Sequence, residues 1–183
     1  MPRLWFAVRH REIRYALLVT RWVALLGITA CASAPQDLCD RSKAAGISRI
    51  ANKLYYDQWS AHHGGTFSVK APFTCAGGGG GTLDVGGAEM WSGTFIFDTC
   101  TANGYGSGDL LTLTGTFNAM GDFTNGVSWG QTDSIAIRGS LADCRAPVDE
   151  TCAGMWSPFV TGAQGEGFDE SNTQGTLCGR KFP

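Results

Sequence analysis

From Gly65 onward the apolar residues recur at every second position, and this period constrains the fold more than any other feature. Phe67, Val69, Ala71 and Phe73 alternate with polar residues and a proline. Such alternation, rich in Thr and aromatic residues, is typical of half-buried antiparallel strands. Turns rich in Gly, Asn and Asp separate the segments, which predicts roughly seven to nine short strands. The other clear alternating segments run over 91–97, 111–117 and 135–141.

A short motif, Gly followed by Ser or Thr and then Leu or Phe, punctuates these strands. Glycine inside a strand permits a bulge, a bend or a close approach of two backbones. The irregular steps between copies argue against a solenoid. We therefore predict a mainly β fold, an antiparallel meander forming a strongly curved sheet, a sandwich or an open barrel. The six copies begin at Gly65, Gly81, Gly93, Gly115, Gly139 and Gly175.

Residues 44–59, which precede the strands, have helical rather than strand periodicity. Their apolar side chains are expected on one face, which predicts one N-terminal amphipathic helix packed on the sheet. Docking of this face to a membrane or a partner is the alternative, which the few basic residues disfavour. Arg49, Asn52 and Lys53 are expected away from the apolar face. The apolar face consists of Ile47, Ile50, Ala51, Leu54 and Tyr55.

Residues 1–30 combine a basic start with a short apolar run from Trp22 to Ala30. This arrangement indicates a secretory signal peptide. A transmembrane anchor is the alternative, but a span needs about 20 apolar residues. Arg21 interrupts the apolar stretch, and a charge at a helix centre costs about 2.5 kcal/mol or more. The sequence therefore favours export.

Ile28-Thr29-Ala30-Cys31 resembles the lipobox of bacterial lipoproteins. The resemblance implies cleavage before Cys31, acyl chains such as palmitate on that residue, and attachment to a membrane. Residues 31–43 would then be the lipidated cysteine and a short leader. Ala32 after the cysteine implies outer-membrane delivery, with the domain facing the periplasm or the cell surface. Ordinary signal-peptidase cleavage, after Ala32-Ser33-Ala34 or after Ala30-Cys31-Ala32, is the alternative.

The seven cysteines are an odd number, and assigning Cys31 to lipid leaves six. Three disulfides fit an exported protein. A zinc site is disfavoured because no two cysteines have the C-x2-C spacing of zinc ligands. Six cysteines allow many connectivities, among which sequence alone does not choose. Our preferred pairing is Cys75–Cys100, Cys144–Cys178 and Cys39–Cys152.

The order of lipobox, helix and cysteine-punctuated glycine- and threonine-rich strands resembles a family of uncharacterised bacterial lipoproteins. The best matches are Cys75 before a glycine run, Cys100 at a strand end, and Cys178-Gly179 near the end of the chain. The resemblance implies a single disulfide-stapled β domain over residues 44–183. It implies a location and an architecture, and no activity.

Charge and motifs exclude several classes of function. After residue 30 the chain carries nine basic and fifteen acidic side chains, which argues against nucleic acid as a partner. His62-His63 is expected in a solvated loop, because two histidines alone do not complete a His₃ metal site. The glycine run 77–81 lacks the Lys-Ser/Thr of a phosphate loop and is expected to connect two strands. Glu166, Asp169, Glu170 and Asn172 could offer oxygen ligands to calcium, although an ordinary exposed loop is favoured.

Tryptophans are the remaining candidates for function. Trp91, Trp129 and Trp156 could form an aromatic groove for a glycan or another small ligand, although core packing is the common role of such rings. We find no catalytic motif and expect neither a cofactor nor a metal. The first hypothesis is a lipid-anchored envelope protein with a non-catalytic structural or interaction role. A ligand-binding module and an exported hydrolase are the alternatives.

Overall fold

The computed structural model describes residues 36–88, 90–104, 108–122, 127–157 and 173–183. Within these residues the chain forms one helix followed by eight strands. Helix α1 covers Gln36–Ala61. The strands are β1 (Phe67–Thr74), β2 (Gly80–Gly87), β3 (Met90–Asn103), β4 (Leu110–Asp122), β5 (Val127–Ser140), β6 (Val148–Ser157), β7 (Gln174–Leu177) and β8 (Arg180–Phe182).

The strands form one antiparallel sheet in which each strand pairs with the next along the chain. The sheet is open, with β1 and β8 at its edges. Helix α1 packs on its inner face, so the predicted mainly β meander with one N-terminal helix is confirmed. Lys70 and Pro72 lie on edge strand β1 with exposed side chains. Charged residues and proline on an edge discourage pairing with another chain.

The repeated motif, Gly followed by Ser or Thr and then Leu or Phe, supplies buried side chains to the core. In all six copies the third residue belongs to the buried hydrophobic core. In the four copies that lie within one strand, which begin at Gly81, Gly93, Gly115 and Gly175, the glycine two positions earlier lies on the same face of the strand. The motif therefore contributes to core packing and is not a repeated functional site. The six buried residues are Phe67, Leu83, Phe95, Phe117, Leu141 and Leu177.

Three large aromatic rings of the inner face each lie between two glycines on the neighbouring strands. A ring covers the bare backbone on both sides, and the missing Cβ atoms leave room for it. An added Cβ at Gly121 would lie 2.3 Å from Nε1 of Trp91, far inside van der Waals contact. The sheet can therefore curve tightly around large side chains. The triplets are Gly87–Trp91–Gly121, Gly81–Phe97–Gly115 and Gly130–Trp156–Gly175.

We expect Gly130→Ala to lower the free energy of unfolding by about 1–3 kcal/mol, the usual cost of overpacking a core. The new Cβ would lie 2.5 Å from Cζ of Phe117 and 3.3 Å from Cε2 of Trp156. Urea unfolding measures the loss. Gln131→Ala, an exposed position on the same strand, is the control, with an expected change within about 0.5 kcal/mol. Equal losses in the two variants would refute the packing argument.

Helix α1 begins within residues that the sequence predicts to be a leader. Its first turns are polar, and the predicted start at residue 44 is wrong because these polar groups are buried in pairs. Cys39 is in a disulfide, while Asp40 and Lys43 are almost fully buried and form ion pairs. The predicted apolar face is confirmed, but Asn52 is also buried, only 4% exposed. The helix is thus enclosed more widely than its apolar stripe indicates.

The six described cysteines form three disulfides, and one of the three preferred pairs is confirmed. Cys75–Cys100 joins the turn after β1 to β3. The other two preferred pairs, Cys144–Cys178 and Cys39–Cys152, are wrong, because the start of α1 reaches the loop after β5 and the pairing of β6 with β7 brings Cys178 to Cys152. Cys39 on α1 pairs with Cys144 in the loop after β5. Cys152 on β6 pairs with Cys178 in the turn between β7 and β8.

Candidate functional site: a groove on the outer face of the sheet

The three tryptophans predicted to form an aromatic groove are not exposed together: Trp91 and Trp129 line one groove, but Trp91 is almost fully buried and Trp156 lies elsewhere in the core. Trp91 and Trp156 are 4% and 1% exposed, so their rings belong to the core. Trp91 stacks on Tyr55 of the helix, with ring centroids 4.3 Å apart. Trp156 stacks on Phe117, and its Nε1 donates a 2.7 Å hydrogen bond to Oγ of Ser48. Trp129 alone of the three lies on the outer face, with 43% of its surface exposed.

Trp129 borders a shallow groove of about 360 Å³ on the outer face of β2–β5. Met90, Met120 and Ser92 line it together with the small exposed part of Trp91, and Gly86, Gly87 and Gly121 contribute no side chains to the lining. The lining contains no charged side chain. Such a surface favours an apolar or soft, polarisable ligand.

Three methionines on the outer face were not among the residues predicted to form a site. Met90, Met120 and Met155 are 67%, 55% and 60% exposed, and each occupies an outward position of its strand, where Ser, Thr and charged residues are common. The signal was present, because the period of two assigns these apolar residues to the solvent face. Exposed apolar groups gathered on one face can mark a binding site.

A second depression lies between α1 and the ends of β1 and β3, with a volume of about 480 Å³. Ile50, Leu54 and Cys75 supply apolar surface, and the side chains of Arg49 and Lys53 also line it. Lys53 is paired with Asp57 at 3.0 Å, and Arg49 donates to the carbonyl oxygen of Gly104. Both cations therefore already have partners within the domain.

Four charged side chains form a cluster where α1 meets β6 and β8, with Asp40 and Lys43 buried and Glu150 and Arg180 partly exposed. Asp40 accepts two hydrogen bonds from Arg180, at 2.7 and 2.9 Å, and lies 2.5 Å from Nζ of Lys43. Glu150 also pairs with Lys43 and Arg180. Two cations and two carboxylates neutralise one another. Because they come from α1, β6 and β8, their ion pairs hold the helix against these two strands.

The pKa values of this cluster follow from two opposing effects. Burial raises the pKa of Asp40, but hydrogen bonds from Arg180 and Lys43 outweigh it and leave the pKa below the ordinary 3.8. The pKa of Glu150 is lowered from 4.5 in the same way. Both carboxyl groups are therefore ionised at neutral pH and serve as acceptors. Elsewhere in the core, burial raises the pKa of Tyr55 to about 12, so its hydroxyl remains protonated and donates to the carbonyl oxygen of Ala88.

The Cys152–Cys178 disulfide lies beside this cluster. A carboxylate oxygen of Glu150 and the two sulfurs all lie within 4.8 Å of one another. Because the sulfurs are bonded to each other, neither is available as a thiolate ligand. His62 and His63, the other candidates considered for a metal, lie exposed in the turn after α1. The His62 ring stacks on Phe67, with centroids 5.0 Å apart.

The glycine run 77–81 and the acidic segment near residue 170 were also considered as sites from the sequence. Gly77, Gly78 and Gly79 connect β1 to β2, while Gly80 and Gly81 are already paired in the sheet, so the predicted hairpin connection is confirmed. Glu166, Asp169, Glu170 and Asn172 lie outside the described residues, as does the lipobox with Cys31.

Comparison with known proteins finds no matching family model, no matching curated protein and no matching solved structure. In the described part of the chain, no helix has the length and apolar character needed to cross a membrane.

Proposed function

We propose that the chain is an exported, lipid-anchored protein of the cell envelope with a non-catalytic structural or interaction role. The observation that supports this most directly is the cysteine pairing. Each of the six described cysteines is bonded to another of the six, so none of them is left to pair with Cys31. Three disulfides also fit an extracytoplasmic protein. Cys31, at the end of the lipobox-like sequence, then has the free thiol that lipidation needs.

The absence of a catalytic role is inferred from the buried charges. Active sites usually hold ionisable groups whose pKa values are shifted toward the working pH. Here the carboxyls of the buried Asp40 and the partly buried Glu150 have lowered pKa values and accept hydrogen bonds from Lys43 and Arg180. Such groups hold the helix on the sheet, which suits a scaffold better than a hydrolase.

The lipid anchor is tested by producing the full chain in a Gram-negative host supplied with an alkyne-tagged fatty acid. We expect the label on the wild-type protein and its loss in Cys31→Ser, because the thiol is the acylated atom. Mass spectrometry is expected to find a mature chain that begins at acylated Cys31.

Ser33→Ala is the matched control, since it changes a neighbouring small residue and is expected to keep the label. An unmodified mature terminus at Ser33 or Pro35, or equal labelling of Cys31→Ser, would contradict the proposal. Delivery to the outer membrane is tested on the same samples by membrane fractionation.

A second candidate function is a small-ligand binding module. The groove at Met90, Met120 and Trp129 favours it, because these apolar side chains stand exposed on a face where most strand positions are polar. A groove of three tryptophans for a glycan receives less support, since the rings of Trp91 and Trp156 are buried.

A further inference from the structure

The groove brings two thioether side chains and one indole to the same small area. Met120 on β4 is directly opposite Trp129 on β5. On its other side Met120 is opposite Ser92 of β3, two residues from Met90. Side chains directly opposite have Cβ atoms about 4.5–5.5 Å apart, and diagonal neighbours are about 7–8 Å apart. Flexible methionine side chains can therefore direct both Sγ atoms toward one point.

The chemistry of this lining selects among ligands. Thioether sulfur is a soft donor that favours Cu(I), whereas Mg²⁺ and Ca²⁺ favour oxygen. The face of an indole ring attracts cations. Asp122 is opposite Met90 in the register of β3 and β4 but is not part of the groove lining, which carries no carboxylate. The donors that line the groove itself are therefore soft.

The state of the cysteines points the same way. All six described cysteines are in disulfides, as expected in an oxidising compartment. Thiolates are then not available to a soft metal, and methionine sulfur is the soft donor left in the described domain. Two methionines and a tryptophan also remain exposed here, although burial of such large apolar side chains would stabilise the fold.

We propose that this groove binds a soft monovalent cation, Cu(I), through the Sγ atoms of Met90 and Met120, with the indole of Trp129 beside the ion. The site's physiological use rests on the export proposed above, but the binding step is a property of the folded domain. Its test therefore succeeds or fails independently of the test for lipidation.

An apolar organic ligand is the competing occupant, and leucine distinguishes the two. Met→Leu nearly conserves volume and apolar character but removes the sulfur donor. Met155 supplies the matched control, because it is equally exposed on the outer face yet does not line the groove.

The experiment uses Ag(I), a redox-inert substitute for Cu(I), with protein purified after export and labelled with ¹³C-methyl methionine. We expect the methyl signals of Met90 and Met120 to shift and saturate with a single Ag(I), while the signal of Met155 stays in place. Tryptophan fluorescence is expected to be quenched in parallel, and Trp129→Phe is expected to remove that quenching. Met90→Leu and Met120→Leu are each expected to weaken binding by about tenfold or more, at least the loss seen when a ligand's supporting contacts are removed.

Equal shifts of all three methionine signals would overturn the proposal, because they would indicate unspecific association of silver with thioethers. Silver affinity unchanged in both leucine variants would overturn it as well. A third outcome would also overturn it: no methyl signal responds to Ag(I), while an apolar fluorescent probe binds the groove equally well in wild type and the leucine variants. Each variant's folded state is checked beforehand by its urea-unfolding midpoint, with Met155→Leu as reference.

Discussion

Replacing Cys39 and Cys144 together with serine is expected to lower the free energy of unfolding by about 4–5 kcal/mol. The disulfide joins positions 105 residues apart in sequence, and the chain-entropy model gives about 4.7 kcal/mol for a loop of roughly that length. The bond ties the first turns of α1 to the loop after β5, so its loss is also expected to speed amide exchange near the start of the helix. Urea unfolding of the non-reduced proteins measures the difference.

Replacing Cys75 and Cys100 with serine is the matched control for this loop-length argument. That disulfide spans only 25 residues, for which the same model gives about 3.5 kcal/mol. Double substitutions leave no unpaired thiol behind in either variant. A loss for the shorter loop equal to or greater than that for the longer one would show that local packing, and not chain entropy, sets the contribution of these bonds.

The strand architecture was accessible from sequence because it is a local property. Inward residues such as Phe95 and Phe117 recur at period two, and motif glycines mark the curvature. What the sequence could not show was which glycine lies beside which ring. Gly121 and Trp91 are far apart along the chain, and only the pairing of β3 with β4 brings them together.

Sequence separation does not decide which cysteine pairs were predicted, because the confirmed Cys75–Cys100 and the missed Cys152–Cys178 span 25 and 26 residues. Cys75 and Cys100 lie at the same end of adjacent hairpins. Cys39 meets Cys144 only because α1 starts earlier than its apolar pattern indicates, and polar groups such as Asp40 and Lys43 are buried there. A pattern of apolar residues does not predict a helix turn whose buried side chains are charged and form ion pairs.

The candidate site was predicted least well. Trp91 and Trp156 satisfied the composition of a binding groove, but their inward parity on the strands assigns them to the core. The same parity assigns Met90, Met120 and Trp129 to the outer face, so the relevant signal was which face a residue occupies and not its type. The formation of a groove there still depends on strand register.

Asp40→Asn is expected to lower the free energy of unfolding by about 3 kcal/mol, the low end of the cost of breaking a buried ion pair. Asparagine keeps the shape and an acceptor for Arg180 but removes the charge that faces the fully buried Lys43. Glu150 still faces both cations, which is why the low end applies. Urea unfolding at neutral pH measures the loss.

Asp149→Asn is the control for a charge that contributes little. Asp149 pairs with Arg138 at 2.8 Å, but the two side chains are 76% and 61% exposed, and exposed pairs contribute about 0–1 kcal/mol. The two substitutions are chemically identical and differ in burial. Similar losses at both positions would show that the cluster around Lys43 has no special role in holding α1.

The pH dependence separates loss of charge from loss of packing. Because the pKa values of Asp40 and Glu150 are lower in the folded state than their ordinary 3.8 and 4.5, their contribution is complete above those ordinary values. This contribution to stability is lost as the pH falls through the folded-state pKa values, because below them the carboxyl groups are protonated in the folded and the unfolded protein alike. The gap between wild type and Asp40→Asn is therefore expected to narrow on acidification below about pH 4, whereas a packing defect would persist. If the difference in free energy of unfolding between wild type and Asp40→Asn stays constant down to acid pH, the loss is due to packing. The charge cluster would then not be what holds the helix on the sheet.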